Sequence, residues 1–169
     1  MTKSVFECLQ KLTVLTLVLL TVAAAAQTQQ VLNSSEQVVK ALNTATDEIL
    51  IVTDVLREVE VADALREAIA VRGVPVYMLI PPSTVEENAS YTASLAHAGA
   101  QVRLSEVGGS FLTIDRRIII AGPLIGNLSQ SEEGMPTVYI DDPTYAAQFV
   151  EGFIQSFEAA QVYTPMGGQ

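Results

Sequence analysis

Few residues in this sequence could make or break bonds. The single histidine, His97, falls near the end of a helical stretch, SLAHAG, and reads most simply as a partly buried or helix-capping side chain. The single cysteine, Cys8, precedes an apolar N-terminal run, so the rest of the chain holds no thiol and no disulfide. A metal site needs several His, Cys or clustered carboxylates. Asp141-Asp142 stands at the start of a helical pattern, where the helix dipole favours acids, and Glu132-Glu133 lies in a polar loop. No metal and no cofactor is expected. Two features remain. Gly108-Gly109-Ser110 offers successive amides followed by a hydroxyl, which can form an anion-binding nest; the plain alternative is a turn before a strand. Asp115 sits at a tight turn between two apolar stretches, FLTI and RIIIA, where a short acid can bond backbone amides. Asn-x-Ser sequons at Asn33, Asn88 and Asn127 are too common a motif to carry weight.

Charge narrows the partners. The 169 residues carry a net charge of −10. Two lysines and one glutamate lie within residues 1–26, which leaves seven basic and eighteen acidic residues, a net −11, in the remainder. Lys40 is the only lysine after residue 26, and the arginines are scattered except for Arg116-Arg117. Displacing counterions from nucleic acid requires clustered Lys and Arg, and an anionic membrane surface repels such a domain. Nucleic acid is therefore not expected as a partner, and membrane contact is expected only through the N-terminal segment. That segment has the layout of a secretory signal: a basic start, the continuous apolar run LTVLTLVLLTVAAAA at 12–26, and an Ala24-x-Ala26 exit before polar QTQQ. The run is shorter than the roughly 20 residues of a comfortable membrane span, so cleavage is the first reading and an uncleaved anchor over 12–26 the second. Export to the periplasm or the exterior follows from either.

The elements that would position these residues are legible from periodicity. Residues 27–35 read as a polar linker, 36–162 as one domain and 163–169 as a flexible tail. After a helix starting at Ser35, a buried-type strand runs over Glu48–Thr53, and an amphipathic helix over Val61–Arg72 ends at Gly73. Strand Val74–Ile80, helix Thr84–His97 and short strand Gln101–Leu104 follow. Phe111–Ile114 and Arg117–Ala121 form a hairpin through Asp115-Arg116, then come strand Thr137–Ile140 and helix Thr144–Ala160, with Pro143 in its first turn. Alternating strands and helices imply parallel pairs with crossovers, and the hairpin adds antiparallel character. The expected fold is α/β: a mixed, mostly parallel sheet flanked by helices.

Several segments together resemble one half of the phospholipase D superfamily: ILIVTDVL, DALREAIAVRGVPVYMLIP, SLAHAGAQVR, FLTIDRRIIIAG and VYIDDPTYAAQFVEGFIQSF, spanning Glu48 to Ala160. FLTIDRRIIIAG is the most specific of them; in the family it follows a His-x-Lys pair and ends in Gly-Ser-x-Asn. The resemblance implies a site in which one histidine attacks phosphorus, a second protonates the leaving group, and Lys and Asn hold the non-bridging oxygens. Counting from Asp115, which matches the motif's aspartate, the histidine position falls on Gly108 and the lysine position on Ser110. Gly122 matches the family glycine, Pro123 replaces its serine, Ile125 stands where its asparagine would be, and Asn127 comes two residues late. The downstream Asn-x-Glu falls near Glu133-Gly134-Met135 and is absent too. Only Asp115 survives, and in the family it supports the site.

A degenerate motif implies no catalysis by the family mechanism. The expected function is an exported, non-catalytic phospholipase D-like domain that binds a protein partner or a small ligand. Single-motif members of that superfamily pair as two-fold dimers, so the resemblance also implies a homodimer with two degenerate loops at its centre. Two alternatives stay open: a divergent phosphodiesterase that uses other residues or supports an active partner chain, and a structural envelope protein held by its leader.

Overall fold

The computed structural model describes residues 28–84, 90–126 and 134–165. The leader, Asn88, Asn127 and Glu132-Glu133 lie outside the described residues. Eight strands form one sheet in the order β1-β7-β6-β5-β2-β3-β4-β8. They are β1 Thr28–Leu32, β2 Ile49–Val52, β3 Val76–Ile80, β4 Gln101–Leu104, β5 Phe111–Ile114, β6 Ile118–Ala121, β7 Thr137–Asp141 and β8 Gln161–Val162. Among the described residues four helices flank it: α1 Ser35–Leu42, α2 Val59–Ala70, α3 Thr92–Ala98 and α4 Pro143–Ala159. The fold is mixed α/β, as the periodicity predicts.

The period-2 alternation of each strand divides the core between the two sheet faces. On one face Ile49, Ile51, Val76, Met78, Ile80, Leu112, Ile114 and Ile120 are buried with Val38, Leu42, Val61, Leu65 and Leu95 of α1–α3. On the other, Leu50, Val52 and Leu79 pack against α4 alone, through Val150, Phe153 and Phe157. Phe149, Phe153 and Phe157 recur every four residues and so share one side of α4. Phe153 and Phe157 stack at 5.5 Å, Tyr77 meets Phe157 edge-on at 5.6 Å, and Arg103 lies 4.5 Å above the Phe157 ring.

Four expectations need correction. The sheet is not mostly parallel: β2–β3 and β3–β4 are parallel, whereas β1–β7, β2–β5, β4–β8, β5–β6 and β6–β7 are antiparallel. Only the βαβ crossovers enforce parallel pairing, and they are confined to β2, β3 and β4. Residues 27–35 are not simply a linker, because β1 pairs along its whole length with β7, from Thr28 opposite Asp141 to Leu32 opposite Thr137. An edge strand buries little, so Leu32 is in the core while Gln29, Gln30 and Val31 stay exposed, and no apolar run marks the strand. The segment from Thr84 is a 3-10 turn at Pro82–Thr84, and α3 begins only at Thr92. The tail starts later than expected: Tyr163 packs on the core, and its N–H reaches the Val102 carbonyl at 3.0 Å.

Candidate functional site

The parallel strands β2, β3 and β4 end on one side of the sheet, and β5 starts there. In open α/β sheets ligands bind outside the carboxyl ends of the strands. The Gly108-Gly109-Ser110 loop enters β5 at that side, and the chain leaving β2 passes beside it as Thr53-Asp54-Val55. The Asp54 carboxylate accepts the Gly109 N–H at 3.0 Å (Oδ1), so the amide that could have met a foreign anion already holds an internal one. Gly109 is needed for this approach, and Gly108 leaves room for it. A Cβ at Gly108 would stand 3.3 Å from the same Oδ1, and Gly109 has φ +122°, with a Cβ there 2.5 Å from the Phe111 ring.

The rest of the site is closed by backbone and apolar side chains. The Ser110 carbonyl accepts the Gly122 N–H at 2.9 Å. Gly122 lies at φ +136°, and a Cβ on it would sit 2.6 Å from the Pro136 carbonyl oxygen and Thr137 Cα. Pro123–Ile125 form a buried 3-10 turn, fixed by the Leu124 N–H to Thr137 Oγ1 at 3.1 Å. Ile125 is fully buried in the main core, so the position that the resemblance assigns to an oxyanion-holding asparagine carries a side chain with nothing to donate.

Asp115 lies at the other end of β5, five residues on from Ser110 and about 16 Å away at the strand rise. With Arg116 it makes the hairpin turn: φ is 51° and 54° at the two residues, and the Arg117 N–H closes on the Ile114 carbonyl at 3.0 Å. That is the primed turn that matches the twist of a hairpin. Its carboxylate reaches across to the loop between α1 and β2. There it accepts the backbone N–H groups of Thr46 (2.9 Å), Asp47 (2.8 Å) and Glu48 (3.1 Å) and the Thr46 hydroxyl (3.0 Å). Burial acts to raise this carboxyl. The amides of Asp47, Glu48 and Thr46, with the Thr46 hydroxyl, outweigh it and hold the group below the usual carboxylate range. Asp115 therefore clamps two chain segments together and does not face the Gly108–Ser110 loop.

The other sequence candidates are dispersed. His97 is exposed in the last turn of α3, just before Gly99 ends the helix at φ +115°. Asp142 caps α4, accepting the Thr144 and Tyr145 N–H groups at 2.8 and 3.2 Å. Asp141 takes a two-pronged bond from Arg117, at 2.7 and 3.1 Å. Among the described residues no group of three or more His, Cys, Asp and Glu is placed to hold a metal, and no helix is long and apolar enough to cross a membrane. The sequence reading assigned Asp54 no role. Its signal was there: an acid directly after a fully buried strand, on the side where sites form.

A family model described as the scaffolding anchor of CK1 domain matches residues 13–115, more than half of the chain. The chain belongs to the scaffolding anchor of CK1 domain family. The match takes in β1 to β5, and with them both Asp54 and the Gly108–Ser110 loop. No curated protein sequence matches the chain. Among solved structures, this scaffolding-anchor domain is similar to Nuc, a phospholipase D family member from Salmonella typhimurium, with TM-score 0.71, 21% identity and coverage of 81% of this chain and 98% of that one. NucT from Helicobacter pylori gives TM-score 0.68 at 15% identity, over 81% and 98%. Phosphatidylserine synthase from Haemophilus influenzae gives 0.53 at 11%, over 81% and 40%. At these identities the likeness establishes the fold: this scaffolding-anchor domain has a phospholipase D-like architecture.

Proposed function

We propose that this chain is an exported phospholipase D-like domain that does no phosphoryl-transfer chemistry and serves as a protein-binding scaffold. One observation carries the reading: the Asp54 carboxylate on the Gly109 amide puts a fixed negative charge beside the loop where the resemblance locates the degenerate motif. A phosphodiester brought there meets a like charge and finds no histidine or lysine, since Gly108 and Ser110 stand at those positions. The family description adds the function class, a scaffolding anchor, and names the partner to try first. The acidic balance of the chain agrees with a protein partner and argues against nucleic acid. Export rests on the leader at 1–26. A second copy is the other expected partner, as the resemblance to single-motif phospholipase D-like proteins implies.

Two assays on the full chain test this reading together. Titration against a purified CK1 kinase should give saturable binding, and phosphodiester substrates should give no product. Turnover of phosphodiesters without any saturable complex would overturn the proposal. Sedimentation should show a dimer; a monomer at all concentrations would remove the homodimer from it.

A further inference from the structure

A groove of about 290 Å³ opens far from the Gly108–Ser110 loop, between α1 and the edge of the sheet. Its α1 side comes from Gln37, Lys40 and Ala41, spaced so that they share one helix face, with Thr44 just beyond the helix end. Its sheet side comes from Gln30 and Tyr139, cross-strand partners in β1 and β7, with Leu32 and Ile118. The floor is apolar: Leu32 and Ala41 are buried, and Ile118 is half-buried.

The polar rim offers one cation and two donors, beside one hydroxyl left as an acceptor. Lys40, the only lysine after residue 26, is exposed and makes no ion pair among the described residues. The Gln37 Oε1 already accepts the Asn33 N–H at 2.6 Å, which leaves its amide nitrogen as the free group. Thr44 spends its hydroxyl proton on the Ala41 carbonyl at 2.7 Å. Burial, and then the charge of Asp141, raise the Tyr139 phenol above the usual tyrosine range, so it stays protonated and can donate. Asp141 is the acid that faces Tyr139, and Arg117 engages it; among the described residues no acid lines the groove itself. In a chain this acidic, an acid-free groove with an unpaired ammonium is selective by contrast.

The geometry points to a binding site for a small organic carboxylate with an apolar body, its charge on Lys40 and the Gln37 amide, its tail on Leu32, Ala41 and Ile118. The volume is at the small end of ligand pockets, equal to the share of about ten waters, which fits a short chain.

Hexanoate is the probe, titrated into the full chain by calorimetry with amide chemical shifts as a second readout. Saturable binding is expected, with shifts centred on β1, α1 and Tyr139. Lys40→Met keeps the aliphatic stem and removes the charge; it should weaken binding by up to about fivefold, the worth of an exposed ion pair. Lys40→Arg should keep most of the affinity. Gln37→Glu retains the acceptor for Asn33 and replaces the donor by an oxygen, and should abolish binding. Hexan-1-ol and inorganic phosphate, which carry only the tail or only the charge, should each bind less well than hexanoate. Equal binding of hexanoate by wild type and Lys40→Met, equal binding of hexanol or phosphate, or no hexanoate binding at all would overturn the site.

Discussion

At the residue scale the hairpin turn is held by one carboxylate. Asp115 bonds three backbone amides and one hydroxyl of a segment nearly seventy positions away in sequence. Its type and its turn were legible in the sequence; its partners were not, because only the folded sheet brings the α1–β2 loop beside the hairpin. Asp115→Ala should cost about 2 kcal/mol, since it removes bonds to a charged acceptor and strands three amides. The check is the denaturation midpoint, with Asp115→Asn losing less. The sign of the pH dependence follows from the lowered carboxyl: its stabilisation is complete above the unfolded value of about 3.9 and fades as pH falls through the lower folded value. Wild type and Asp115→Ala should therefore converge in stability only in strong acid, and a constant gap down to that range would contradict the clamp. Restoring the motif makes a second test. In Gly108→His with Ser110→Lys, the new Cβ at 108 would stand 3.3 Å from the Asp54 carboxylate. The imidazole should pair with Asp54, titrate above an ordinary histidine by NMR and give no turnover. An unshifted histidine in that variant would mean that Asp54 does not occupy the loop.

Elements show where pattern reading succeeds. β2 and β3 are buried runs bounded by turn residues, and α2 and α4 show a helical apolar stripe, so their spans were legible to within two or three residues. The hairpin was legible from its two apolar strands and polar turn. β1 was missed because an edge strand has one paired side and little burial, and β8 because two residues form no pattern. The end of α1 illustrates a support that no local signal announces. Arg72, beyond α2, donates to the carbonyls of Leu42, Asn43 and Ala45 at 3.2, 3.2 and 3.0 Å, which closes the C-terminus of α1. Helix ends leave carbonyls that need such partners. Arg72→Met keeps most of the packing and should lower stability by about 2 kcal/mol through the orphaned carbonyls. Thermal melts with amide exchange across 39–45 would check this, and unchanged protection there would show that water serves as well as the guanidinium.

At the scale of the whole molecule, one sheet carries three helices on one face and a single helix on the other, and its strand ends place the Gly108–Ser110 loop and the Asp115 clamp on opposite sides. The general α/β class and the phospholipase D-like architecture could be read from element order and a few segments. The balance of parallel and antiparallel pairing could not, because strand neighbours are chosen by the entire sheet: β5 joins β2, the first strand of the parallel set, and brings β6, β7 and β1 with it. The state of the site was half legible. The residues Gly108, Ser110 and Ile125, which the resemblance sets at the histidine, lysine and asparagine positions, stand in the sequence, whereas the contact of the Asp54 carboxylate with the Gly109 amide needed the fold. Both bear on one claim, that the domain does no phosphoryl transfer. The most direct measurement is a phosphodiesterase assay of the full chain on phospholipid, nucleic acid and a chromogenic diester. In the mechanism that the resemblance implies, each oxyanion donor is worth roughly 3–4 kcal/mol of transition-state stabilisation, and the nucleophile opens the covalent route. No product above the uncatalysed rate is expected with any substrate. Robust turnover by the unmodified chain, lost in His97→Ala or Asp54→Ala, would contradict the claim.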